Sequence, residues 1–261
     1  MRTGLDGKVV VVSGAASGIG LATTRMFLEE GAHVVGGDLR PDVLRELGSD
    51  CVAVECDLAT EQGNAALVDG AMGRFGRIDA VVNNVGTFPY REGFLQTSIE
   101  DWTRGIEINF LSMVRLTRRA LPHLLSGGGG SVVSVASECG RQPDVFFVDY
   151  SVTKAAIINL SKSLANEFGP RGVRSNVVSP GPTRTAQWDV PGGFGDSLAK
   201  RFDLGKEAAI EHFAKVARKL PTGRVGRPEE VAAAIVFLSS TLAGQVTGAE
   251  YTVNGGSYVA A

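Results

Sequence analysis

An open α/β fold, one doubly wound parallel sheet of about seven strands with helices on both faces, is what this 261-residue sequence encodes. Short apolar runs rich in Val alternate with stretches of helical periodicity from residue 8 to residue 253. The first of these runs is apolar at consecutive positions, as a strand covered on both faces requires. A glycine-rich connection, Gly14-Ala15-Ala16-Ser17-Gly18-Ile19-Gly20, links it to the first helical stretch. The length suits one domain, residues 1–261, with ample chain to bury a core.

The elements follow in order. Residues 8–13 (KVVVVS) form the first strand, and 19–30 a helix that stops at Gly31, a natural C-cap. A strand at 33–36, a short helix at 41–47 and a strand at 51–55 come next. Helix 61–75 leads to strand 78–82. A long helix spans 99–125, with Pro122 disturbing its last turn, and strand 131–135 follows the glycine turn at 127–130. Helix 151–168 precedes strand 174–178. The segment 180–226 is irregular, and a helix at 228–238 and a strand at 250–253 complete the chain. Strand and helix in alternation imply right-handed crossovers in one parallel sheet. No solenoid period and no low-complexity tract interrupts it.

Composition excludes several function classes. A net charge of −2 with no long basic stretch argues against nucleic acid or an anionic membrane as partner. The three cysteines, Cys51, Cys56 and Cys139, are odd in number and form no CxxC pair, which suits a reducing compartment without disulfides or zinc. His33, His123 and His212 are too scattered for a metal site or a His-based triad. The first strand starts by residue 8 and leaves no room for a signal peptide. No apolar run approaches the roughly 20 residues of a membrane span. A cytoplasmic protein that takes a small-molecule substrate is the expectation.

The glycine-rich connection is a candidate dinucleotide site. Glycines at Gly14, Gly18 and Gly20 permit a tight turn, close approach of the backbone to a pyrophosphate, and close packing of helix on strand. The helix N-terminus beyond Ser17 and Ile19 offers free N–H groups and a positive dipole end. The spacing is GxxxGxG rather than GxGxxG. Asp38 ends the second strand (VVGGD), where a carboxylate accepts from both ribose hydroxyls and repels a 2′-phosphate. No Arg or Lys stands at Ser17 or Leu39, although Arg40 is close by, so NAD is favoured over NADP. A turn-capping role for Asp38 stays open. Asp57-Leu58, after the third strand, suits either contact with the adenine or a cap on the following helix. Asn83-Asn84-Val85-Gly86 falls at the C-terminal end of the fourth strand, where ligands bind in open α/β sheets. Amides there tie neighbouring strands together, and Gly86 lets the backbone approach a cofactor.

Tyr150 and Lys154 lie four apart on helix 151–168 or its first turn, so they share a face. The ammonium favours phenolate and lowers the Tyr pKa from about 10, which makes an acid/base pair. The same spacing also suits a solvated helix face.

In this order, the segments resemble the classical short-chain dehydrogenase/reductase family across essentially the whole chain. The matching pieces are SGAASGIG, Asp57-Leu58, Asn83-Asn84-Val85-Gly86, Asn109, Ser137, Tyr150/Lys154 and Pro180-Gly181-Pro182-Thr183-Arg184-Thr185. The tail adds Gly223–Val231 (GRVGRPEEV) and the Val253-Asn254-Gly255-Gly256 turn. Ser13, Val85, Ala136 and Asn254 depart from the usual pattern without removing a reacting group. The resemblance implies a Rossmann-like domain and a catalytic tetrad of Asn109, Ser137, Tyr150 and Lys154. Tyr150 would be the general acid/base, with Ser137 polarising the same substrate oxygen. Lys154 would tune Tyr150 and bind the nicotinamide ribose, and Asn109 would hold a water that extends a proton relay. Pro180 and Gly181 would shape the turn under the nicotinamide, and Thr183 and Thr185 would contact its carboxamide and the pyrophosphate. No metal is implied. A homotetramer through helices 99–125 and 151–168 is.

Substrate recognition falls to segments 87–95, 138–148 and 186–222, the last long for an irregular connection and a candidate lid with helices and with Gly192-Gly193 as a hinge. Phe88, Tyr90, Phe94, Phe146, Phe147, Trp188, Phe194, Phe202 and Phe213 point to an apolar or cyclic substrate, or equally to core and subunit contacts. The leading reading is an NAD-dependent secondary-alcohol dehydrogenase or ketone reductase. Dihydrodiol dehydrogenation or C=C reduction ranks lower, because the Tyr/Lys spacing is of the alcohol type. A non-catalytic NAD sensor or scaffold is disfavoured by the intact Tyr150 and Lys154.

Overall fold

A computed structural model of the chain describes residues 2–257. Seven parallel strands run in the order β3-β2-β1-β4-β5-β6-β7. They are β1 (Val9–Ser13), β2 (His33–Asp38), β3 (Cys51–Glu55), β4 (Ala80–Asn83), β5 (Gly130–Val135), β6 (Val173–Pro180) and β7 (Glu250–Val253). The order turns back on itself between β1 and β4, so a crevice opens beyond their C-terminal ends.

β1 explains why both faces of the sheet must be covered. Val10 and Val12 enter one core with Phe27, Val231 and Ile235, whereas Val9 and Val11 enter the other with Leu67, Leu116 and Leu124. Successive side chains alternate between faces, so an unbroken apolar run supplies two cores at once. Helices α1 (Gly18–Glu29) and α10 (Pro228–Ser239) cover the first face. Helices α3 (Glu61–Phe75), α5 (Ser112–Ser126) and α6 (Val148–Phe168) cover the second. The short α2 (Asp42–Arg45) flanks β3.

The helix ends obey local chemistry. Gly31, at φ +79°, ends α1 as expected. The Thr60 hydroxyl accepts from Gly63 N–H at 3.0 Å to cap α3, and Gly76, at φ +69°, closes it. One expectation needs revision. Residues 99–126 are not one regular helix: α4 (Ile99–Ile106) passes through a π turn at Glu107–Leu111 into α5. Pro122 lies inside α5.

The segment expected to be irregular also contains helices. They are α7 (Ala186–Asp189), α8 (Phe194–Phe202) and α9 (Lys206–His212), followed by a π turn at Phe213–Ala217. Trp188, Leu198, Ala209 and Ile210 give this lid its own apolar cluster. Its two ends are pinned at the base: Thr183 and Gly226 form a parallel bridge, Gly226 N–H donates to the Pro182 carbonyl and Arg184 N–H to the Gly226 carbonyl.

Candidate active site

The crevice holds a cavity of about 470 Å³. One end is built from the β1–α1 connection. Gly14 and Gly18 have φ of +64° and +51°, conformations that glycine adopts without strain. A Cβ on Gly20 would sit 1.9 Å from the Gly14 carbonyl oxygen, so α1 packs against the turn only because that position is glycine. A Cβ on Gly14 would lie 3.0 Å from Val85 Cα, and one on Gly18 would meet the Thr185 methyl at 3.0 Å. The result is a narrow backbone cradle at the N-terminus of α1, which suits a pyrophosphate.

Polar side chains hold the cradle in place. Asp38 Oδ2 accepts from Ala16 N–H at 3.0 Å and Oδ1 from Arg40 N–H at 3.2 Å. Both oxygens keep further lone pairs for hydroxyl donors. Asn84 Nδ2 donates to the Ser13 and Gly14 carbonyls at 3.1 and 2.9 Å, and the Ser13 hydroxyl accepts from Asn84 N–H at 2.9 Å. Asn83 Nδ2 reaches Thr117 Oγ1 at 3.0 Å and Ser134 Oγ at 3.2 Å. These amides stitch β1, β4 and β5 together, as the sequence suggests.

The cavity wall contains Gly14, Ser17, Gly18, Ile19, Asp38, Leu39, Asn84 and Gly86 at this end. Ser137, Tyr150 and Lys154 also line it, with Pro180, Gly181, Thr183 and Thr185. Four expected residues stand off the wall. Gly20 acts through packing. The Leu58 side chain joins the core beside Leu67 and Val68. Asp57 Oδ1 accepts from Ala59 N–H at 2.9 Å, a local turn ahead of α3. Asn109 lies behind the wall, 1% exposed.

Asn109 occupies the middle of the π turn. Its Oδ1 accepts from Thr87 N–H at 2.7 Å, and its Nδ2 donates to the Thr87 carbonyl at 3.0 Å. It therefore clamps the chain that leaves β4. A Cβ placed on Gly86 would lie 3.2 Å from Asn109 Oδ1 and 3.5 Å from Lys154 Nζ, so both groups face one small space. A π insertion also frees backbone groups from the regular ladder.

Ser137 follows β5, and its hydroxyl accepts from Cys139 N–H at 3.1 Å. Tyr150 and Lys154 share the inner face of α6, with Lys154 Nζ 5.4 Å from the Tyr150 ring centroid. The α6 N-terminus is anchored by Arg91, whose Nη2 and Nε donate to buried Asp149 Oδ2 at 2.8 and 3.2 Å. Arg91 also pairs with Asp101 at 2.8 Å. Sequence reasoning missed this anchor, although a carboxylate beside Tyr150 in a buried first turn is a usable signal.

The electrostatics correct one expectation. Burial pushes the Tyr150 phenol above its ordinary value, the Ser137 hydroxyl opposes that shift, and Cys139 and Glu138 add to it. The net shift is upward although Lys154 shares this helix face, where its ammonium donates to the Val135 carbonyl at 2.8 Å. Burial lowers Lys154 itself from 10.5 to about 8.

Phe88 meets Tyr150 edge-on with centroids 6.2 Å apart, and Phe147, Trp188, Phe194 and Phe213 continue the wall towards the lid. Phe94 packs on Trp102 and Phe202 on His212 instead. Buried Glu138 joins Arg218 of the lid to Ser257 near the end of the described chain. No cluster of three or more metal-ligating side chains occurs among the described residues.

A family model described as enoyl-(acyl carrier protein) reductase matches residues 14–258. Cis-4-hydroxycyclohexanecarboxylate dehydrogenase of Sinomonas cyclohexanicum is 37% identical over 255 residues, 95% of this chain and 96% of that protein. The L-sorbose reductase of Gluconobacter frateurii, solved with NADPH and L-sorbose, superposes with a TM-score of 0.93 at 34% identity, over 100% of both chains. The 3-ketoacyl-(acyl-carrier-protein) reductase of Brucella melitensis, solved with NADH, gives 0.84 at 27% identity, over 98% of this chain and 100% of that one. The chain belongs to the short-chain dehydrogenase/reductase family. It is accordingly an oxidoreductase acting on CH–OH groups with a nicotinamide cofactor.

Proposed function

We propose that the protein is an NAD-dependent dehydrogenase that interconverts a secondary alcohol and its ketone, on a substrate with an apolar or cyclic body. The observation that carries this reading is the meeting of Ser137, Tyr150 and Lys154 on one wall of the cavity whose far end is the Asp38 cradle. The relatives support it: one is named for a hydroxylated ring acid and another for a sugar ketone.

The bound nicotinamide supplies the hydride acceptor or donor. Gly14, Ser17, Gly18 and Ile19 would hold the pyrophosphate, with Thr185 closing over it. Asp38 would take the adenosine ribose, beside Leu39, and its carboxylate disfavours a 2′-phosphate there. Backbone at Asp57 and Leu58 would border the adenine. Gly86, Pro180, Gly181 and Thr183 would shape the nicotinamide end, and Lys154 would reach its ribose. In reduction Tyr150 would give its phenolic proton to the substrate oxygen; in oxidation the phenolate, once its proton has left along the path past Lys154, would take the carbinol proton. Ser137 holds the same oxygen by hydrogen bonding and stabilises its charge as it develops. Asn109 acts as a positioning residue on the Thr87 backbone, and a water in the space it shares with Lys154 and Gly86 would extend the proton path.

The homotetramer is proposed from the family, and an apolar groove on α5 and α6, lined by Val114, Leu121, Leu160 and Leu164, is the surface offered for a subunit contact. Among the described residues no helix is long and apolar enough to cross a membrane.

The test is a panel of cyclic and acyclic secondary alcohols read by NADH absorbance, with NAD and NADP compared. Turnover that survives Tyr150→Phe unchanged would overturn the mechanism.

A further inference from the structure

Tyr90, Phe146 and the exposed Arg201 meet on one part of the cavity wall. Tyr90, on the chain leaving β4, lies nearly parallel to Phe146, with centroids 5.2 Å apart and planes at 15°. Arg201, on α8 of the lid, places its guanidinium carbon 5.6 Å from the Phe146 centroid. Each of the three segments expected to recognise substrate contributes one member of this group. All three side chains line the cavity.

Arg201 also lies 5.6 Å from the Phe202 ring centroid, and among the described residues its charge has no acidic partner. Elsewhere in and around the lid, Arg184 pairs with Asp189 and Glu207, Lys206 with Asp196, and Arg224 with Glu230. Arg218 pairs with Glu138 and Asp144, the two carboxylates that line the same part of the cavity. No carboxylate among the described residues pairs with Arg201. A guanidinium without a carboxylate partner has N–H donors to offer a ligand, and its planar fork matches a carboxylate.

Between Arg201 and the reacting phenol the wall is aromatic. Phe88 touches Tyr150 edge-on at 6.2 Å and Phe147 at 6.4 Å, and Phe147 meets Tyr90 at 6.3 Å. A ligand that satisfies the whole wall has a hydroxyl or carbonyl at one end, an apolar body, and an anionic group at the other.

We infer that Arg201 is an anion-binding subsite, and that the preferred substrate is a secondary alcohol whose apolar body carries a carboxylate. The substrate part of this inference rests on the reaction proposed above, whereas anion capture by Arg201 needs no turnover.

Calorimetry on the full chain loaded with NAD tests it, with cyclohexanecarboxylate and its neutral isostere cyclohexanecarboxamide as probes. The carboxylate should bind about tenfold tighter than the amide, the factor expected of one charge-assisted contact. Arg201→Gln should bring the two affinities together, and Arg201→Lys should restore part of the gap. Tyr150→Phe should leave the preference intact, so a failure of the proposed chemistry and a failure of the subsite give different results. Equal binding of both probes, no binding of the carboxylate, or an equal loss for both probes in Arg201→Gln would reduce Arg201 to a clamp on the lid and overturn the inference.

Discussion

The Lys154 ammonium donates to the Val135 backbone carbonyl at 2.8 Å while standing 5.4 Å from the centre of the Tyr150 ring. A charge buried to 3% exposure is thus tied to the end of β5 rather than to a carboxylate. Such a placement costs stability and serves chemistry.

The cost has a pH signature. Below pH 8 the amine is charged in both folded and unfolded chains, and the folded state bears a penalty on the order of 3 kcal/mol. Between about 8 and 10.5 the folded chain has released the proton and the unfolded chain still holds it, so stability rises with pH across that window. Lys154→Met should be at least as stable as the parent at pH 7 in urea unfolding, and should lack this rise. Its turnover should fall by about a hundredfold or more.

Tyr150→Phe removes the proton carrier and little volume. Turnover should fall by about 10²- to 10⁴-fold, with NAD affinity by calorimetry nearly unchanged. Since burial raises this phenol, the parent-minus-variant ultraviolet titration before cofactor is added should show no tyrosinate below the ordinary value of 10.0.

Asp38→Asn keeps an acceptor for Ala16 N–H and removes the charge. The ratio of NADP to NAD affinity should rise by roughly tenfold, because the repulsion that discriminates between them is gone. Calorimetry with both dinucleotides checks this.

Gly86→Ala places a methyl 3.2 Å from Asn109 Oδ1 and 3.5 Å from Lys154 Nζ. The fold should persist, as circular dichroism would show. Steady-state kcat should drop about ten- to a hundredfold through displaced Lys154 and lost water space.

Val114→Asp puts a charge in the apolar groove of α5 and α6 without entering the main cores. Gel filtration with light scattering should shift from tetramer to smaller species. An unchanged mass would remove this groove from the interface.

The strands were legible because double-sided burial demands consecutive apolar residues, as in Val9–Val12, and few other structures do. The cradle was legible because Gly14 and Gly18 hold positive φ in tight quarters and Gly20 has no room for a Cβ. The π turn was not. One extra residue per turn leaves no mark on the periodicity of residues 99–126, and Asn109 grips backbone atoms of Thr87 that carry no residue identity. Helices in the lid were expected but could not be given bounds, because α7 and α9 are short, with four and seven residues. Trp188 suited substrate contact and core equally in the sequence. It is 4% exposed within the lid cluster and also lines the cavity. The upward shift of Tyr150 was not legible because spacing places Lys154 near the ring but does not reveal how far the phenol is withdrawn from water.

The bridge between Thr183 and Gly226 has a further consequence. A chain excursion whose two ends are already hydrogen-bonded costs little more entropy when it lengthens, since closure scales only with the logarithm of loop length. Apart from Thr185 at its start, the chain between those residues can therefore be rewritten, in size or in lining, while β6 and the residues beneath it keep their register. Substrate choice can diversify by exchange of a cassette, leaving the proton and hydride machinery as a fixed chassis.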